Sequence, residues 1–277
     1  MDTRQQIDWL TVIAIAVIAY AAVNITHEIV GHCGMALLTG TKCAVISSTY
    51  IPLAEPPPGG KFRIIVAAGC AANFVVGLMC LVSLRRKAEI RSQVAGGTKT
   101  TQSTLSYFLW LWMSVNLFLA STYIAIAPII KFGDSYILIQ DLRPQLFWRP
   151  AVALAGAIAW WFSFRASRVE LARLIGGAGQ QGRAIAWRLI VPAYLAGGIV
   201  TVASALFSGL DWRIAQLEAA GGTLGLTVWL LALPLFIPQS NTFARAPLVI
   251  GRSIAWIVAG ALTAVIFIGL LGRGVAL

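Results

Sequence analysis

The chain has 277 residues, of which 58% are hydrophobic and 11% charged, with a formal net charge of +11. Soluble domains hold about 45–50% apolar and about 25% charged residues, so this balance excludes a water-soluble globular domain and predicts an all-α polytopic membrane protein. The basic residues fall between apolar runs instead of forming one patch, which assigns them to loops facing anionic lipid headgroups and argues against nucleic acid.

Apolar runs of spanning length, about 20 residues, occupy 8–39, 62–84, 104–131, 150–165, 187–209, 222–238 and 252–271. The expected count is about seven transmembrane helices, with six to eight as the range because the fourth and sixth runs are short. Arg4, the apolar run from Trp9 and the triplet Ala19-Tyr20-Ala21 imitate a cleavable signal peptide. Cleavage there would cut into the helix that carries the motif below, so an uncleaved first span is expected. Between the first two spans, the β-branched stretch Val45-Ile46-Ser47-Ser48-Thr49-Tyr50-Ile51 precedes Glu55-Pro56-Pro57-Pro58-Gly59-Gly60. This predicts a short strand or hairpin segment ending in a rigid turn, with a plain loop as the alternative.

Residues 1–145 read as a three-span core carrying the chemistry, and 146–277 as an accessory bundle of about four spans outside the site. The four cysteines form no Cys-x-x-Cys pair, and most lie in or beside apolar runs where a thiol serves as a small packing group.

Basic residues also bear on orientation. The N-terminal side, side A, holds thirteen: Arg4, then Arg85, Arg86, Lys87, Arg91 and Lys99, then Arg165, Arg168, Arg173, Arg183 and Arg188, then Arg245 and Arg252. Side B holds eight: Lys42, Lys61, Arg63, Lys131, Arg143, Arg149, Arg213 and Arg273. The positive-inside rule therefore favours a cytoplasmic side A.

Both histidines lie in Asn24-Ile25-Thr26-His27-Glu28-Ile29-Val30-Gly31-His32-Cys33, late in the first span. Two imidazoles and a carboxylate at membrane depth each need a partner, and one cation satisfies all three. Interhelical hydrogen bonds, or a Glu28–His32 pair four residues apart, are the plainer readings. Zinc hydrolases use His-Glu-x-x-His, which sets two ligands one turn apart with the glutamate beside the attacking water. Here the spacing is five, about 140° apart on a regular α-helix, so a shared metal requires a π-type turn, which Gly31 makes sterically cheap. Catalytic zinc takes three protein ligands. Asp134, directly after the third long run and on the same membrane face by parity, is the expected third, with Asp141 as the alternative and Cys33 as a spare thiolate.

In these residues the chain resembles the site-2 protease family of intramembrane zinc metalloproteases. His27-Glu28-Ile29-Val30-Gly31-His32 is similar to the family's His-Glu-x-x-His with one residue inserted. Ala67-Ala68-Gly69-Cys70-Ala71-Ala72-Asn73 is similar to its Ala-Gly-Pro and Ala-Asn pattern, and Gly133-Asp134 stands where an Asp-Gly pair is expected. The resemblance implies a Zn2+ site made by His27, His32 and Asp134, with Glu28 as catalytic base and Asn73 holding a transmembrane protein substrate. It further implies a bacterial inner membrane location and a zinc near the cytosolic side, against the basic-residue count. A catalytically inactive site-2-protease-like membrane protein that binds transmembrane helices is one alternative. A small proton- or metal-coupled transporter is another, although no second copy of the motif suggests the repeat a transporter would carry.

Overall fold

The computed structural model describes residues 7–55, 57–94, 104–176, 179–208, 216–238 and 248–277. Arg4, Lys99, Arg213 and Arg245 of the basic-residue count lie outside them, as does the side chain of Arg91. The first span is helix α1 (Trp9–Ile25), a π-helical segment (Thr26–Cys33) and α2 (Gly34–Leu38). Asp8 caps α1, accepting from the Thr11 backbone N–H at 2.9 Å, and is paired with Arg252 at 3.1 Å, which ties the start of the first span to the start of the last.

Helices α3 (Gly59–Val94) and α4 (Thr104–Ile130) follow, then the short α5 (Asp134–Ile139), α6 (Gln145–Ile175) and α7 (Gly179–Leu206). A π-helical segment (Leu217–Gly225) and a 3-10 segment (Val228–Phe236) make the next span, and α8 (Ile254–Ile266) the last.

Among the described residues, six helices are long and apolar enough to cross a membrane. α6 carries Arg149, Arg165, Arg168, Glu170 and Arg173 and is less apolar. Yet it runs antiparallel along α4: Gly156 packs on Ala125, Ser163 Oγ lies 3.4 Å from the Leu117 carbonyl, and Trp110 Nε1 donates to the Ser167 carbonyl at 3.0 Å. A helix paired along a spanning helix covers the same depth, so among the described residues α6 stands beside those six as a further long helix of the bundle. Large apolar side chains such as Val75, Leu78, Phe162, Leu262 and Val265 are exposed on the outer faces, where hydrocarbon surrounds them.

The core is continuous through the whole bundle. α1 is its centre, with Val12, Ile15, Ala16, Ala19 and Tyr20 fully buried against residues of α4, α7 and the later spans. Close approach depends on glycine: a Cβ at Gly260 of α8 would stand 2.7 Å from Ala14 Cα, and one at Gly197 of α7 would run into the Tyr20 ring.

Residues 43–54 form a hairpin, as their composition predicts. Ala44 N–H donates to the Pro52 carbonyl and Ala54 N–H to the Lys42 carbonyl, at 2.8 and 2.9 Å. Its strand β1 (Val45–Ile46) pairs antiparallel with β2 (Val275–Ala276) near the C-terminus. A disulfide joins Cys33 to Cys43. The packing and spare-ligand roles considered for Cys33 are thereby corrected: a sulfur shared in a disulfide is not a thiolate donor. Cys70 and Cys80 are buried in α3, as expected for packing thiols.

Candidate metal centre

Beyond Ile25 the first span widens into the π turn required for two histidines five residues apart to share one side. The rings of His27 and His32 stand 4.8 Å apart at 87°. Space for them comes from a glycine pair. A Cβ at Gly31 would meet the α3 backbone at Gly69 Cα (2.6 Å) and the Ala68 carbonyl (2.8 Å), and one at Gly69 would meet His32 Nε2 at 2.6 Å and His27 Cε1 at 2.8 Å. Two bare backbones thus bring α3 against the π turn, and the imidazoles fill the place a side chain would take.

Asp134 opens α5 behind Gly133, whose φ of 88° is open to glycine and strained for other residues. A Cβ there would stand 2.5 Å from the Tyr123 hydroxyl. This tight turn brings Asp134 Oδ2 to 3.1 Å from His27 Nε2 and 3.2 Å from His32 Nε2. Burial alone would raise the Asp134 carboxyl, but the two imidazoles outweigh it and hold it well below the usual carboxylate range. One ligand atom from each of the three residues lies within 4.8 Å of the others, a group that could hold a metal ion. Asp141 is elsewhere, 71% exposed and paired with Arg63 at 3.6 Å.

Behind the ligands stand groups that orient them. His32 Nδ1 lies 2.9 Å from the Ile65 carbonyl, which accepts its proton and leaves Nε2 with a lone pair. His27 Nδ1 lies 3.4 Å from Asn73 Nδ2, while Asn73 Oδ1 is buried without a partner. Turning that amide over would let Oδ1 accept from His27 Nδ1–H, giving both imidazoles the tautomer a cation needs. Asn73 itself is fully buried. It stands behind His27 and does not line the cavity described next.

That cavity, about 310 Å³, is lined by His27, Glu28, His32 and Asp134 together with Thr49, Tyr50, Ile51 and Leu53 of the hairpin and Phe62, Ile65 and Val66 of α3. Glu28 thus faces the same space as the three ligands. Residues 49–53 of the hairpin thus close part of its wall.

A smaller cavity of about 20 Å³ lies on the other side of Glu28 and His27, and includes Gly222 and Thr223 of the sixth span in its wall. Thr223 Oγ1 donates to Asn24 Oδ1 at 2.8 Å. The expectation that the last four spans stand outside the site is therefore corrected for the sixth. Only the small residues Gly221-Gly222-Thr223 within an apolar run signalled a close helix approach there.

The fold and the site together define an all-α polytopic membrane protein with a His2Asp cluster where the first span, α3 and α5 meet. In comparisons with family models, with curated proteins and with solved structures, nothing matches.

Proposed function

We propose that the protein is a zinc-dependent intramembrane endopeptidase of the site-2 protease type. The observation that carries this reading is the convergence of His27 Nε2, His32 Nε2 and Asp134 Oδ2 within a cavity that also takes Glu28. The donor set fits: two imidazoles and one carboxylate are a hydrolytic zinc set, with Zn–N of about 2.0–2.1 Å. The two histidine–carboxylate separations are 3.1 and 3.2 Å, and the three ligand atoms lie within 4.8 Å of one another, so one cation could be held between them.

A zinc ion held by His27, His32 and Asp134 would supply Lewis acidity, which lowers the pKa of a water towards about 7. Glu28 takes a proton from the attacking water as its oxygen bonds to the carbonyl carbon, then passes that proton to the departing amine as the C–N bond breaks. Asn73 and the Ile65 carbonyl hold the imidazoles in place. An unwound substrate segment cannot add to the edge of β1 that β2 already occupies.

Detergent-purified protein should carry about one zinc per chain and should cleave a membrane-anchored reporter in a manner abolished by chelation and restored by zinc. Metal-free protein that refuses zinc would leave the reading of an inactive helix-binding membrane protein.

The site faces the non-cytoplasmic side on this reading, because two independent observations agree. Side B has fewer basic residues, and it carries the Cys33–Cys43 bond, which persists in oxidising compartments and is rare in the cytosol. In acid-quenched cells treated with an alkylating agent, Cys33 and Cys43 should be recovered joined, and a reporter fused within 95–103 should report a cytosolic position. Recovery of both cysteines as alkylated thiols would reverse the orientation.

A further inference from the structure

A second, larger cavity lies on the outer face where α3, α4 and α6 meet, and neither histidine nor Asp134 lines it. Its volume is about 610 Å³. Along α3 the wall runs from Phe74 through Leu78 to Arg85, and along α6 from Ala159 through Phe162 to Arg165 and Val169. At 1.5 Å per residue those stretches are each about 15 Å long, half of a hydrocarbon core about 30 Å thick. Both helices run towards side A, so the deep end is apolar, Arg165 stands part-way along the α6 wall and Arg85 closes the α3 wall on the shallow side.

Cations outnumber anions at that end: Arg85, Arg86, Lys87, Arg165, Arg168 and Arg173 stand on the same stretches of α3 and α6 as the two acids Glu89 and Glu170. Glu170 is shared by Arg85, Nε at 3.3 Å, and Arg173, Nη1 at 2.6 Å. Arg165 makes no ion pair among the described residues and lies over the Trp161 ring, 5.6 Å from its centroid. Arg86, Lys87 and Arg168 add to the same ends of α3 and α6. Arg85 remains 56% exposed despite its contact with Glu170, so its outer nitrogens are open to a further acceptor.

We propose that this groove is a binding site for one anionic phospholipid of the side-A leaflet, with an acyl chain between α3 and α6 and the phosphate between Arg85 and Arg165. A groove with one apolar end and one cationic end at headgroup depth matches the two parts of such a lipid. A transmembrane helix would supply apolar surface but no anion at that depth. This site is independent of the metal centre.

Protein in detergent is titrated with phosphatidylglycerol and with phosphatidylcholine of the same acyl chains, and bound lipid is counted by native mass spectrometry. The anionic lipid should be retained preferentially at one copy per chain. Arg85→Ala and Arg165→Ala should each weaken it about fivefold and the double variant about thirtyfold, from the known contribution of one basic residue beside an anionic surface. Arg85→Lys with Arg165→Lys should keep most of the preference, and Arg273→Ala on side B should change nothing. Ala159→Trp, which fills the deep end, should cost retention while leaving the protein monodisperse. Equal retention of both lipids means non-selective surrounding lipid only, and overturns the site. Displacement by millimolar inorganic phosphate means an anion site without a groove, and also overturns it.

Discussion

His27→Ala, His32→Ala and Asp134→Ala should each reduce zinc content to near zero, because each removes one of three protein ligands. Asp141→Ala should leave it unchanged, since that carboxylate pairs with Arg63 at the surface. Glu28→Gln should keep the metal and lower proteolysis about 10²–10⁴-fold, the range for loss of a general base. Asn73→Ala should weaken zinc about 10–100-fold, as expected for a group that orients a ligand. Inductively coupled plasma analysis alongside reporter cleavage separates these classes. Full zinc occupancy in Asp134→Ala would remove the proposed centre, and wild-type cleavage by Glu28→Gln would remove the mechanism.

Gly31→Ala and Gly69→Ala should both abolish metal binding, with different effects on stability. At Gly31 the new methyl meets the backbone of Gly69 and Ala68, which moves only if α3 retreats from the π turn. Overpacking of that kind costs about 1–3 kcal/mol. At Gly69 the methyl meets imidazole atoms, which can swing aside, so the fold survives while the ligand geometry does not. Gly60→Ala, with nothing within 4 Å of its added Cβ, serves as the control. Thermal unfolding in detergent and zinc content should therefore fall together for Gly31→Ala, and zinc alone for Gly69→Ala. A Gly31→Ala protein with wild-type stability and zinc would show that the close helix approach is not needed.

How much of this could be read in advance varies with the range over which the signal acts. The spans were legible because crossing hydrocarbon demands length and apolarity within one segment. α6 shows the limit: five charged residues dilute its composition, and its pairing with α4 is what places it in the bundle. The π turn was legible too. The five-residue spacing of His27 and His32 permits a shared face only on a wider helix, and that is a local geometric condition.

Other features depend on which segments meet. The sequence by itself determined an all-α membrane protein of several apolar spans, a β-prone stretch after the first, and a polar cluster that needs an outside partner. Asp134 and Asp141 were both admissible by parity, and the tertiary structure decided between them through the turn at Gly133 and its fit against Tyr123. Nothing in their flanking residues pairs Cys33 with Cys43; the hairpin must first fold back over the π turn. Thr223 reaches Asn24 across 199 positions of chain, and β1 finds its partner at 275–276. Hydropathy and helical spacing are properties of single segments, whereas these contacts are chosen by how glycine and small residues let the helices approach. That choice is made by the packed bundle as a whole.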